Sequence, residues 1–140
     1  MGIRSEYKDL DRYKIYLKSE IGDKFIAPNF KGREYACKDG TDFVMVHEML
    51  LMIVQEVRWH FNSPTTINSG YRTPSWNKKV GGKPLSYHQA GMAADIVVKG
   101  HTTKEVAEYL DKHMENWGGV IRYTNFVHVD TREKKYRKGV

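Results

Sequence analysis

From residue 42 onward, apolar residues return at alternating spacings of three and four: Phe43, Val46, Leu50, Ile53 and Val57. That period matches one face of a helix. Asp42 stands where an N-cap would, and "NSP" at 62–64 stops the element near Phe61. His47, Glu48 and Glu56 fall off the stripe. The period then shortens. "TTIN" (65–68) reads as a β-branched strand, and "SGYRTPSWNKKV" as a turn leading into a short helix, with Thr73 at its cap and Pro74 at its first position. "DIVV" (95–98), bounded by "KG", suits a buried strand. Thr102 and Glu105 match a capping box, and the helix they open carries Val106, Ala107, Leu110 and Met114 on one face. "WGGVIRY" (117–123) and "TNFVHVD" (124–130) read as two strands joined tightly. Residues 1–40 are least legible: "DRYKIYLK" fits a strand or a short helix equally. Helices and strands are interspersed without regular βαβ alternation. The expected fold is therefore α+β: a single domain over 1–140 with a small, mostly antiparallel sheet flanked by helices.

Composition narrows the classes without choosing among them. A chain of 140 residues is long enough to close one core, and no repeat or linker divides it. The longest apolar run, Met49 to Val54, is far short of the roughly 20 residues a membrane span needs, so no stable membrane insertion is expected. The stretch "MGIRSEYKDLDRYKIYLKSE" has no apolar leader core, and synthesis in the cytoplasm is the expectation. Lys and Arg number 23 against 17 acids, a net +6 that is densest in "REKKYRKGV". The plain reading is solubility plus a solvated terminus; the alternative is attraction to a polyanion such as an anionic cell wall. Nucleic acid is not expected as a partner, because no recognisable motif or concentrated basic face accompanies the charge. The single cysteine, Cys37, forms no intrachain disulfide and reads as a small core or surface residue.

Candidate chemistry begins in "FVHVD". Strand alternation sends Val127 and Val129 one way, and Phe126, His128 and Asp130 the other. One face packs; the opposite face presents a histidine and an aspartate together. A second such pair lies in "SYHQAGMAADI", where Gly91 permits a turn between His88 and Asp95, and Ala93 and Ala94 allow close packing. If the two strands are neighbours, His88, Asp95 and His128 converge. Two imidazoles and a carboxylate suit Zn²⁺, and three protein ligands leave the fourth position open, as in catalytic zinc. Such a site lowers the pKa of a bound water to about 7 and polarises a scissile carbonyl. The spacing by itself leaves an ordinary turn into a buried strand as the alternative. His47, His60, His101 and His113 read as surface or packing residues. "VGGKP" lacks the GxxxxGK[ST] pattern of a phosphate loop and reads as a turn beside a cleft.

Taken together, "INSGYRTPSWNKKVGGKPLSYHQAGMAADIVVKG" and "GGVIRYTNFVHVD" resemble the zinc D-Ala-D-Ala carboxypeptidase family. That family lies within the hedgehog/DD-peptidase superfamily of peptidoglycan peptidases, which includes phage endolysins cutting L-Ala-D-Glu bonds. Ser86, His88, Gly91, Ala93 and Asp95 match its SxHxxGxAxD block, and His128 its later histidine. The resemblance covers residues 41–131 well and the first forty loosely. It implies zinc on His88, Asp95 and His128. It also implies that Arg72 grips a substrate carboxylate or steadies the tetrahedral intermediate, for which a forked guanidinium is suited. Ser86 would contact substrate or orient His88; Tyr71 and Asn77 would be scaffold. The chain departs from the pattern at one place. Many relatives carry an acid or a second histidine shortly before the last ligand, where this chain has Asn125 and Phe126. Asp130 is then the nearest candidate for the general base; the other role open to it is a carboxylate that orients a ligand. The implied activity is hydrolysis of a peptide bond in peptidoglycan stem peptides, of carboxypeptidase or endopeptidase type. A monomer is expected, and the missing export signal fits a phage or prophage lytic enzyme that reaches the wall after membrane permeabilisation. The alternative is a zinc-stabilised wall-binding or phage structural module without turnover.

Overall fold

In the computed structural model, which describes residues 12–140, strand β1 (Tyr13–Leu17) runs directly into a single helical turn, α1 (Lys18–Ile21). Residues 1–11, part of the stretch read for a leader, lie outside the described residues. Next come the short strands β2 (Phe25–Ala27) and β3 (Phe30–Lys31), a 3-10 turn at Gly32–Tyr35, strand β4 (Phe43–His47) and helix α2 (Glu48–Phe61). The remainder is β5 (Thr65–Ser69), α3 (Pro74–Lys79), a 3-10 turn at Tyr87–Ala90, β6 (Ala93–Val98), α4 (Thr103–Met114), β7 (Gly119–Arg122), β8 (Val127–Asp130) and β9 (Tyr136–Lys138).

The long apolar stripe corrects the sequence reading at its start. Residues 43–47 form a strand paired with β1, and the helix begins only at Glu48. The segment "FVMVH" has a two-residue period that the helical count masked: Val44 and Val46 are buried while Phe43 is exposed. Asp42 caps nothing in α2. Its carboxylate instead accepts from the Ser19 backbone N–H and hydroxyl, both at 2.7 Å. The other boundaries follow the sequence signals. Thr73 accepts from the Trp76 N–H at the start of α3, the Thr102/Glu105 capping box is formed, and α2 ends at Phe61 with Asn62 in the left-handed region.

Strands β5-β6-β8-β7-β9 form one sheet in that order, antiparallel except for the β7–β9 pair. The fold is α+β, as expected. One face of this sheet (Ala94, Ile96, Val98, Val120, Val127 and Val129) joins the apolar sides of α2 and α4 in the main core. Burying the valine and isoleucine side chains among these stabilises by about 1.5–3 kcal/mol each. Phe30 and Tyr35, from the stretch the sequence left illegible, complete that core. The other face is free to carry polar groups. The C-terminal segment is not simply a solvated tail: Tyr136–Lys138 pairs with β7. Arg137 bonds Asp111 at 2.7 Å and the Gly118 carbonyl at 2.6 Å.

Candidate metal centre and cleft

Register builds the site. Asp95 on β6 lies directly opposite His128 on β8, and Ala93 opposite Asp130. Side chains on a strand alternate in face, so a slip of one residue would send His128 into the core. The third member comes from the turn at Tyr87–Ala90. Ser86 caps that turn through a bond from the His88 N–H to its Oγ, and Gly91 ends it at φ +67°. A side chain at Gly91 would also run into the Met45 carbonyl, so the glycine is required on two counts.

His88, Asp95 and His128 are all buried, and one ligand atom from each lies within 4.8 Å of the others. Asp95 Oδ1 is the hub, 3.3 Å from His88 Nε2 and 3.2 Å from His128 Nδ1. Each imidazole has its remaining nitrogen committed elsewhere. His88 Nδ1 donates to the Gly70 carbonyl at 2.8 Å. His128 Nε2 donates to Asp130 Oδ2 at 2.7 Å. When the rings are neutral, these bonds leave His88 Nε2 and His128 Nδ1 as lone-pair nitrogens aimed at the shared centre. Among the described residues this is the group of three that could hold a metal ion. Its donor set of two nitrogens and a carboxylate oxygen fits Zn²⁺.

The local electrostatics agree with that use. Burial pulls the His88 imidazole below its ordinary pKa, with Asp95 acting in the opposite sense. Burial lowers His128 too, but its bonds to Asp130 and Asp95 prevail and its pKa is raised. Burial alone would raise Asp95 and Asp130. The two imidazoles reverse this for Asp95, and Arg132 with His128 reverses it for Asp130, holding both carboxyls well below the usual range.

Asp130 is 0% exposed. Its Oδ1 accepts from the Arg132 Nε at 2.8 Å, and its Oδ2 from Arg132 Nη2 and His128 Nε2, both at 2.7 Å. Arg72 sits on the open side of Asp95, with Nη2 3.4 Å from Oδ2. Its other nitrogens are held by Ser69 Oγ at 3.0 Å and Asn77 Oδ1 at 3.1 Å. Asn77 is buried and also bonds the Lys83 carbonyl, while Tyr71 packs against the main core. These groups open into a cleft of about 580 Å³ that Arg72, Ser86, His88, Asp95 and His128 help to line. "VGGKP" forms one wall, and Tyr123 stacks on Phe126 at 4.6 Å along another.

The remaining histidines pack away from this cleft. His47 is buried with Nδ1 3.1 Å from Thr131 Oγ1, and His60 and His113 stack on Tyr109. His101 packs against Phe61. Cys37 is buried. Sequence reasoning missed Gly119, Arg132 and Tyr136. Gly119 faces Asp130 across β7–β8, and a Cβ there would collide with the buried carboxylate. Its only sequence signal was an unexplained glycine inside a strand pattern.

Residues 24–130 match the family model of Peptidase M15. The match begins inside the stretch that the sequence resemblance covered only loosely. No curated protein matches the chain. The matched residues include the turn that carries His88 and both strands that carry Asp95 and His128, and the chain belongs to the M15 peptidase family.

Proposed function

We propose that the protein is a zinc-dependent hydrolase that cleaves a peptide bond in peptidoglycan stem peptides, as a carboxypeptidase or endopeptidase. The observation that carries this reading is the buried His88, Asp95 and His128 set, in which each imidazole has its second nitrogen already engaged. Zinc held there would supply a Lewis acid and bring the pKa of a bound water to about 7. The chain's own residues do the rest. Arg72, fixed by Ser69 and Asn77, presents a guanidinium beside the centre to a substrate carboxylate or a developing oxyanion. Ser86 holds the His88 turn through its hydroxyl and lies on the cleft wall where peptide would pass. Asp130 acts through His128: its full burial and its bonds to Arg132 favour a carboxylate that fixes the imidazole over one that takes a proton from water. Arg72, Lys83 and Lys138 line the cleft, with Asp95 the one acid among the described lining residues, which suits a peptide bearing free carboxylates. The net +6 suits an anionic wall, as a phage or prophage lytic enzyme would meet.

The test is incubation of the purified protein with cell walls, followed by mass spectrometry of the soluble products. New peptide termini are expected, lost with a chelator and restored by zinc. Zinc-loaded protein that binds walls and leaves every peptide bond intact would establish the binding-module reading instead.

A further inference from the structure

We propose that Arg132 and Tyr136 are positioning residues for the metal centre, forming a relay from the C-terminal strand through Asp130 to the imidazole of His128. The inference rests on reading the His88, Asp95 and His128 set as a metal site. Both residues lie beyond the family match, which ends at 130.

The geometry is more specific than neutralising a buried carboxylate requires. Arg132 meets Asp130 with two parallel bonds, Nε to Oδ1 at 2.8 Å and Nη2 to Oδ2 at 2.7 Å. Its backbone N–H adds a third bond, to Oδ1 at 3.2 Å. A fork of this kind fixes the carboxylate's plane as well as its position. The guanidinium itself lies over two rings, its central carbon 4.4 Å from the Tyr87 centroid and 4.6 Å from that of Tyr136. Tyr87 adjoins His88 in the ligand turn, and Tyr136 sits on β9, opposite Gly119. The chain of contacts is therefore continuous. Tyr136 and Tyr87 set the plane of Arg132, Arg132 sets Asp130, and Asp130 Oδ2 anchors His128 Nε2 so that Nδ1 faces Asp95. Lysine offers charge to Asp130, but neither the fork nor the flat face. A ring at 136 without its hydroxyl keeps the stack.

These properties define the experiment. Zinc affinity of the full chain is measured by competition with a chromophoric chelator. The absorption spectrum of the cobalt-substituted protein and the melting midpoint of the metal-free protein are recorded beside it, for Arg132→Lys, Tyr136→Ala and Tyr136→Phe. Arg132→Lys is expected to lose at least about tenfold in zinc affinity, the scale on which outer partners of metal-bound histidines act, with an altered cobalt spectrum. Tyr136→Ala shifts the same way and Tyr136→Phe restores wild-type values, a comparison that holds even if Arg132→Lys fails to fold. Wild-type affinity and spectrum in both Arg132→Lys and Tyr136→Ala would overturn the relay while leaving the metal site standing. So would a lower melting midpoint with an unchanged spectrum, because that is a structural role only. A wild-type chain that binds no zinc would overturn the site reading and the relay with it.

Discussion

His128 is pulled by two carboxylates at once, and this fixes how the centre responds to pH. Its raised pKa means the metal-free fold gains stability from the charged imidazole at pH values below the ordinary 6.5. That contribution disappears as pH rises through the folded value. Zinc needs the neutral ring, so its apparent affinity should climb over the same range. The gap between zinc-loaded and metal-free melting midpoints should therefore widen as pH rises above the ordinary imidazole value; a gap that narrows would contradict His128 as a ligand. Arg72 makes a different prediction. It touches Asp95 only at 3.4 Å, so Arg72→Lys should keep its zinc. It should raise KM by about tenfold or more through loss of the fork, as steady-state kinetics on a defined muropeptide would report. At this scale the grouping of His88, Asp95 and His128 was legible because its chemistry is carried by residue type and near spacing. Arg132 was not. An arginine two positions after an aspartate means nothing until the chain bends it over two tyrosines drawn from separate elements.

Between elements, the decisive quantity is register. Asp95 faces His128 and Gly119 faces Asp130 only in the alignment adopted by β6, β8 and β7. Gly119→Ala would place a methyl group against the Asp130 carboxylate. Overpacking of this kind costs about 1–3 kcal/mol. Because the displaced carboxylate holds His128, zinc affinity should fall together with the melting midpoint. A variant with unchanged zinc binding would show that Asp130 can move without the imidazole following. The strands and helices with clean periods, β6, β8 and α4, were readable from the chain. β4 was not, since Phe43 stands three before Val46 and so mimics the helix that follows. Only pairing with β1 decides between the two periods there, and that partner lies about thirty residues earlier, where Tyr13 and Tyr16 are buried without strict alternation.

For the molecule as a whole, the core and the site occupy opposite faces of one sheet, so removing metal should leave the core in place. Chelation is expected to lower the melting midpoint while the far-ultraviolet circular dichroism at room temperature stays unchanged. Free zinc at a hundredfold over its dissociation constant would contribute about 2.7 kcal/mol. Collapse of the spectrum on chelation would mean instead that metal and folding are inseparable. By contrast, Leu110→Ala, at a fully buried position, should cost about 2–5 kcal/mol with or without zinc. The α+β class could be read from the order of the elements. The fate of the C-terminal residues could not, because their composition describes charge and not pairing. That last strand has one more consequence. A sheet ends in a row of unpaired backbone groups, the place where copies of a chain join into aggregates. Among the described residues one such row belongs to β5 and the other to β9, three residues long, with exposed Lys134, Lys135 and Lys138 around it. The basic segment thus lies along one of the sheet's two edges, where like charges disfavour strand-to-strand pairing between copies.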